Sequence, residues 1–222
     1  MNNVITIDGP SGSGKSTISR LLAEKIGFHY LDTGAMYRAV ALAAQRKGIP
    51  MTDGKRLGEL CRNLDLHFNT DERPARLFLG REDISGAIRT PDMDMLASEV
   101  SAVPEVRKEM TGLQRRMATG VKLVAEGRDM GTVVFSEAEN KFFLTASAEI
   151  RSKRRFDERI HRGESVSLNG VTEELKKRDH QDQTRTVAPL KPAEDAKIID
   201  STALTPEEVV QKILDSLDDK TE

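Results

Sequence analysis

The chain has 222 residues, 37% hydrophobic and 32% charged, with a formal net charge of −2. That length supports one substantial core with room for insertions, and the near-neutral balance leaves no electrostatic footprint for nucleic acid. The single cysteine, Cys61, excludes an internal disulfide, and no apolar run approaches the roughly 18 residues of a membrane span.

In chain order, Val4–Ile7 reads as a strand. It is followed by Gly9-Pro10-Ser11-Gly12-Ser13-Gly14-Lys15-Ser16 and then a helical pattern with Ile18, Leu21, Leu22 and Ile26 on one face, stopped by Gly27. Strand, glycine-rich turn and helix is the context in which G-x-x-x-x-G-K-[ST] cradles a polyphosphate, with inward backbone N–H groups and the positive end of the helix dipole. A nucleoside triphosphate site is expected over Gly9, Pro10, Ser11, Gly12, Ser13, Gly14, Lys15, Ser16 and Thr17. Lys15 would neutralise the β- and γ-oxygens and the Ser16 hydroxyl would ligate Mg²⁺.

Phe28–Leu31 reads as the next strand, with Asp32-Thr33-Gly34 turning into a helix closed by Gly48. Thr52 or Asp53 caps a further helix whose face holds Leu57, Leu60, Cys61 and Leu64, the setting of a buried thiol rather than a catalytic one. Leu66–Phe68, Arg76–Leu79 and Arg81–Ile84, the first two separated by Asp71–Pro74, suggest an antiparallel hairpin or three-stranded insert. Helices are expected from Pro91, after Thr90, and from Pro104, the second with Val106, Met110, Leu113 and Met117 as its buried stripe and Gly120 as its end. Strands follow at Lys122–Ala125 and Lys141–Leu144. Ser147 is the expected cap of a basic helix reaching about Arg162, Thr172 the cap of another, and Lys197–Asp200 the last strand. Thr205-Pro206-Glu207-Glu208 is a capping box opening a C-terminal helix. The βα alternation predicts an α/β fold with a mostly parallel sheet. No leader segment is read at the start, and a cytoplasmic monomer is the expectation.

Three further clusters suggest chemistry. Arg38, one helical turn past Asp32-Thr33-Gly34, suits bidentate binding of a phosphate, or else is a solvated surface arginine. Arg128 and Asp129 follow a strand, where open α/β sheets bind ligands, although an Arg–Asp pair closing a turn is the alternative. Arg151, Arg155, Arg159 and Arg162 recur at helical spacing with Asp157 and Glu158 as the nearby acids in sequence. Such a run is either a solvated face or a face for polyphosphate. With Arg178–Arg185 downstream and a Gly163–Gly170 link, residues 151–187 read as a mobile helical lid. The four histidines share no metal or catalytic spacing. A small-molecule kinase and a nucleotide-switched binding protein both remain open, but the N-K-x-D segment of a guanine-specific switch is absent from the sequence.

From Ile5 to about Leu214 the order of motifs resembles the bacterial cytidylate kinase family. The resemblance rests on Ile7–Ser16, Leu31-Asp32-Thr33-Gly34-Ala35-Met36-Tyr37-Arg38, Gly127–Phe135 and Arg185-Thr186-Val187-Ala188-Pro189-Leu190. It implies a P-loop NTPase-type three-layer fold in one domain, with a central parallel sheet, a small antiparallel acceptor-binding insert in a region about 36–105, and a helical lid about 151–187. It implies transfer of the γ-phosphate of ATP to CMP or dCMP with Mg²⁺, and neither nucleic-acid nor membrane partners. By the same resemblance Thr33, Arg38, Arg128 and Arg185 hold the acceptor phosphate, with Tyr37 beside them. Ser98, Arg107 and Asp129 read cytosine, Arg178 and Asp182 contact the ribose, and Lys15, Arg155 and Arg159 stabilise the transferring phosphoryl group. A carboxylate at Asp129 suits cytosine independently, because it accepts from the exocyclic amine and is repelled by the carbonyl of uracil.

Overall fold

The computed structural model describes residues 3–69 and 75–218, so the expected connection Asp71–Pro74 lies outside the described residues. In chain order the elements are β1 (Val4–Asp8), α1 (Lys15–Ile26), β2 (His29–Asp32), α2 (Thr33–Arg46), α3 (Gly54–Arg62), β3 (Leu66–Asn69), β4 (Arg76–Leu79), β5 (Glu82–Asp83), α4 (Pro91–Ser101) and α5 (Pro104–Met117). They continue with β6 (Leu123–Gly127), one π-helical turn (Met130–Val134), β7 (Asn140–Thr145), α6 (Ala148–His161), α7 (Leu168–Thr184), β8 (Lys197–Asp200) and α8 (Pro206–Asp218). Two compact units result, one from residues 1–30 and 121–222, the other from residues 31–120.

The first unit is built on a five-stranded sheet in the order β2-β6-β1-β7-β8, with the unit boundary falling inside β2. Its middle strand β1 pairs in parallel with β6 (Ile7 opposite Glu126) and with β7 (Ile7 opposite Phe142), and β7 pairs in parallel with β8. β1 and β6 are buried along their whole lengths, which is why both read as continuous apolar runs rather than alternations. Ile5, Ile7, Val124, Phe142 and Leu144 from the sheet meet Ile18 and Leu22 of α1 and Val209, Val210 and Ile213 of α8 in one core. The chain leaves this unit after Tyr30 and re-enters at Val121, and the two ends are joined where the His29 N–H donates to the Lys122 carbonyl at 2.8 Å.

Caps explain most helix starts. Ser147 accepts from the Ile150 N–H, and the Thr205–Glu208 capping box closes reciprocally, at 2.8 and 3.2 Å. Thr172 is not a cap. α7 begins a turn earlier, at Ser167, which accepts from the Gly170 N–H, while the Thr172 hydroxyl donates back to the Leu168 carbonyl inside the helix. Thr172 has the residue type of a cap, but Ser167 offers the same chemistry one turn earlier and so lengthens the helix.

In the second unit α2, α3, α4 and α5 pack on one another, and β3, β4 and β5 form a small antiparallel sheet with Leu66 opposite Leu79 and Phe78 opposite Asp83. Asp53, rather than Thr52, caps α3, and Thr90 caps α4. Cys61 is buried, and burial, helped by the charge of Glu109, pushes its thiol up to about 12. The stripe of α5 differs from expectation: its buried residues are Val106, Arg107, Met110 and Gln114, with Leu113 and Met117 only half-buried. Arg107 is tolerated inside because its guanidinium donates to the Ser101 carbonyl at 2.9 Å and lies 5.6 Å from the centre of the Tyr37 ring.

Candidate active site

The glycine-rich loop leaves the end of β1 and enters α1, whose N-cap is the left-handed Gly14. Gly9 has φ of +152°, and a Cβ there would stand 2.0 Å from the Leu144 carbonyl oxygen, so no other residue fits against β7. Gly12, at φ of +76°, is pressed in the same way against the Arg151 carbonyl. These approaches curl the loop so that the Lys15 amine donates back to the Pro10 carbonyl at 2.7 Å. Ser16 and Thr17 sit exposed on the first turn of α1. The hydroxyl oxygen of Ser16 is a hard, accessible donor of the kind that would suit Mg²⁺.

Burial lowers the Lys15 amine to about 7, and the charges of Arg128 and Arg178 push it the same way against Glu126 and Asp182. The donor lysine therefore shares its surroundings with three of the expected acceptor-binding residues. Arg128 donates through Nε to Asp182 at 2.7 Å, and Arg185 lies 3.7 Å from Asp182 and 3.8 Å from Asp129. Arg128 thus pairs across to α7 and not with its sequence neighbour, which removes the Arg–Asp turn as an account of that segment. Burial alone would raise Asp182, but Arg128, Arg178 and Arg185 together hold it below the usual carboxylate range. Arg185 Nε also donates to the carbonyl of Ala188, a non-glycine residue at φ of +50°, so local backbone strain is spent on aiming this guanidinium.

Asp8 is a site residue that carried no role in the sequence reading. Its carboxylate accepts from the Met130 and Gly131 N–H groups at 2.9 and 2.8 Å and so fixes the π-turn that follows Asp129. Burial raises its carboxyl to about 6, the two N–H donors opposing and Asp129 adding to the rise. No local pattern signals a contact between residues 122 positions apart. Tyr30 and Glu126 form a second such pair, with the phenol donating at 2.5 Å.

The second unit holds Thr33, Tyr37, Arg38, Ser98 and Arg107, all buried. Asp32 organises this end: one carboxylate oxygen caps α2 through the Ala35 N–H at 2.7 Å, and the other receives Arg38 at 3.3 Å and Arg89 at 3.1 Å. Arg38 also reaches Asp94 at 3.4 Å, which excludes the freely solvated alternative, and its buried Nε has no partner among the described residues. Arg89 and Asp94 were missed because neither stands in a recognisable pattern.

The basic helix corrects an expectation. Its arginines do not form an unneutralised face: Arg151 pairs with Asp179 at 2.5 Å, Arg155 with Glu158 at 2.7 Å, Arg159 with Glu164 and Glu174 at 2.7 and 2.6 Å, and Arg162 with Glu158. Most of these acids come from beyond α6 itself, where helical spacing cannot count them.

A family model described as cytidylate kinase matches residues 5–219. The cytidylate kinase of Geobacter sp. (strain M21) is 50% identical over 208 residues, 94% of this chain and 89% of its own, and that of Vibrio cholerae serotype O1 is 46% identical over 217 residues, 98% and 96% of the two chains. A solved structure of an uncharacterised protein from Eubacterium ventriosum shares the fold, with a TM-score of 0.56 over 99% of each chain at 16% identity. Likeness this close, running through the glycine-rich loop, the Asp32–Arg38 segment and α7 alike, places the chain in the cytidylate kinase family.

Proposed function

We propose that this protein transfers the γ-phosphate of ATP to CMP or dCMP, giving ADP and CDP or dCDP. One observation carries the reading: the charges acting on the lysine of the glycine-rich loop include, beside Glu126, those of Arg128, Arg178 and Asp182, and Arg128 is bonded to Asp182 at 2.7 Å, a second anion-binding set next to the first. A loop that only hydrolysed nucleotide would have no use for it. An acceptor-phosphate oxygen attacks the γ-phosphorus in line, the new P–O bond forms as the β,γ-bridging bond breaks, and the electron pair leaves on ADP. Lys15 stabilises the charge that builds on the transferred group and its leaving oxygen. Thr33, Arg38, Arg128 and Arg185 are proposed to orient the acceptor phosphate, with Tyr37 beside them. Ser98, Arg107 and Asp129 are proposed to read the base, and Arg178 with Asp182 the ribose. Arg155 and Arg159 are proposed to meet the transferring group, Arg159 after giving up Glu164 and Glu174. Mg²⁺ held by Ser16 and the nucleotide oxygens would supply charge neutralisation. These substrates would place it in pyrimidine nucleotide metabolism, and a cytoplasmic monomer is proposed. Among the described residues no helix is long and apolar enough to cross a membrane.

The test is ADP release with Mg-ATP across CMP, dCMP, UMP, AMP and GMP. CMP and dCMP should lead by more than about tenfold, the range a hydrogen-bonding pocket imposes on a mispaired base. Equal rates with all five would overturn the reading.

A further inference from the structure

Arg151 carries no role in the scheme above, yet its partners reach out of α6 in two directions. Its side chain is largely buried, with Nε donating to the Ala146 carbonyl at 3.1 Å and Nη1 to the Ser11 carbonyl of the glycine-rich loop at 3.1 Å and to Asp179 at 2.5 Å. The backbone of Arg151 also touches that loop, since its carbonyl lies 2.8 Å from where a Gly12 Cβ would be. The loop wall is thus fastened to this residue twice, by packing at Gly12 and by a hydrogen bond at Ser11. On the far side stands Asp179, a residue of α7, whose sequence neighbours on the same helix are Arg178 and Asp182. Asp182 holds Arg128, and Arg178 and Asp182 both act on Lys15.

We infer that Arg151 and Asp179 are positioning residues that couple the donor loop to the acceptor-binding face of α7. A helix moves as a rigid rod over one turn, so a shift of the loop wall that drags Arg151 is passed through Asp179 to Arg178 and Asp182. The carboxylate is held at one end only: Asp179 Oδ1 is buried without a hydrogen-bond partner among the described residues. A carboxylate placed purely for stability would have both oxygens satisfied, because an orphaned buried acceptor is costly. Its placement makes sense where the position of α7 must follow the state of the loop. The consequence is thermodynamic and reciprocal: occupation of the donor loop tightens CMP, and CMP tightens the donor nucleotide by the same factor.

The inference rests on the proposed CMP kinase reading, and its test keeps the two apart. The full chain is titrated with CMP alone and in the presence of a saturating β,γ-imido analogue of ATP. The parent should bind CMP on the order of tenfold more tightly with the analogue present, within the usual range of coupling between sites. Asp179→Ala should bind each nucleotide alone within about twofold of the parent yet lose the mutual tightening, so that KM for CMP at saturating ATP rises by about the lost factor. Asp179→Asn, which keeps an acceptor oxygen for Arg151, should retain part of it and serves as the probe if the alanine variant fails to fold. A merely structural ion pair predicts the opposite split: both nucleotides weaken alone, the coupling factor stays, and the melting temperature falls. That result, or a parent with no coupling at all, overturns the inference. A parent that fails to phosphorylate CMP overturns the proposed function instead.

Discussion

Lys15 is held where its charge depends on what surrounds it. Its amine falls from the ordinary 10.5 to about 7, first by burial. Between those values the unfolded chain keeps a proton that the native ligand-free protein has shed, so the penalty from this group is full below about pH 7. It disappears as pH rises towards 10.5, and this contribution to stability rises across that window. A bound polyphosphate supplies the missing negative charge and restores the proton. ATP binding at pH 8 should therefore take up close to one proton, and affinity should weaken with rising pH by up to about tenfold per unit. Calorimetry in two buffers of different ionisation enthalpy measures the uptake, which should be missing in Lys15→Met. The same variant should lose on the order of 10³-fold in turnover while staying folded. Asp129→Asn should narrow the CMP/UMP ratio, because an amide donates to a carbonyl as readily as it accepts from an amine; a proportional fall in both rates would make Asp129 structural. Lys15 could be singled out because the pattern that proposes its role lies within eight residues. Asp8 was not, since its partners are brought to it by the pairing of β1 with β6.

At the scale of elements, caps and close approaches decide more than propensity does. Ser167→Ala removes the side-chain acceptor that caps α7 and should cost about 1 kcal/mol. Thr172→Ala deletes a hydroxyl that bonds back into the helix and should stay within about 0.5 kcal/mol. Chemical denaturation of the two variants separates them, and equal losses would return the cap to Thr172. Gly9→Ala faces a carbonyl oxygen 2.0 Å from its new methyl group. It should destabilise by more than about 3 kcal/mol or fail to accumulate as folded protein, among the largest effects of any single change. Spacing, caps and breakers together located α1 to α8 and the antiparallel insert, but not the π-turn Met130–Val134, which depends on the distant Asp8. Periodicity failed on the stripe of α5, where two polar side chains, Arg107 and Gln114, occupy the buried face; a hydrophobic count cannot register a guanidinium that is satisfied by Ser101 and Tyr37.

At the scale of the molecule, α6 and α7 are fastened by charge. Arg159 sits between Glu164 and Glu174, so Arg159→Ala should lower the melting temperature, as removal of a paired buried charge does. Both Arg155→Ala and Arg159→Ala are expected to lower kcat more than they raise KM for CMP, the pattern of groups that meet developing charge. A double variant with parental turnover at saturating substrates would reduce the pair to fasteners. The division of the chain into two units has a different consequence. Residues 31–120 depart and return beside one backbone hydrogen bond, from His29 to Lys122. Their contour length is almost irrelevant to the rest of the sheet, because closing a loop twice as long costs only about 0.6 kcal/mol more. Residues 31–120 are in this sense a cassette. Insertions or deletions downstream of Leu31 and Asp32, which complete β2, would enter the cost of closing this sheet only through that slowly growing term.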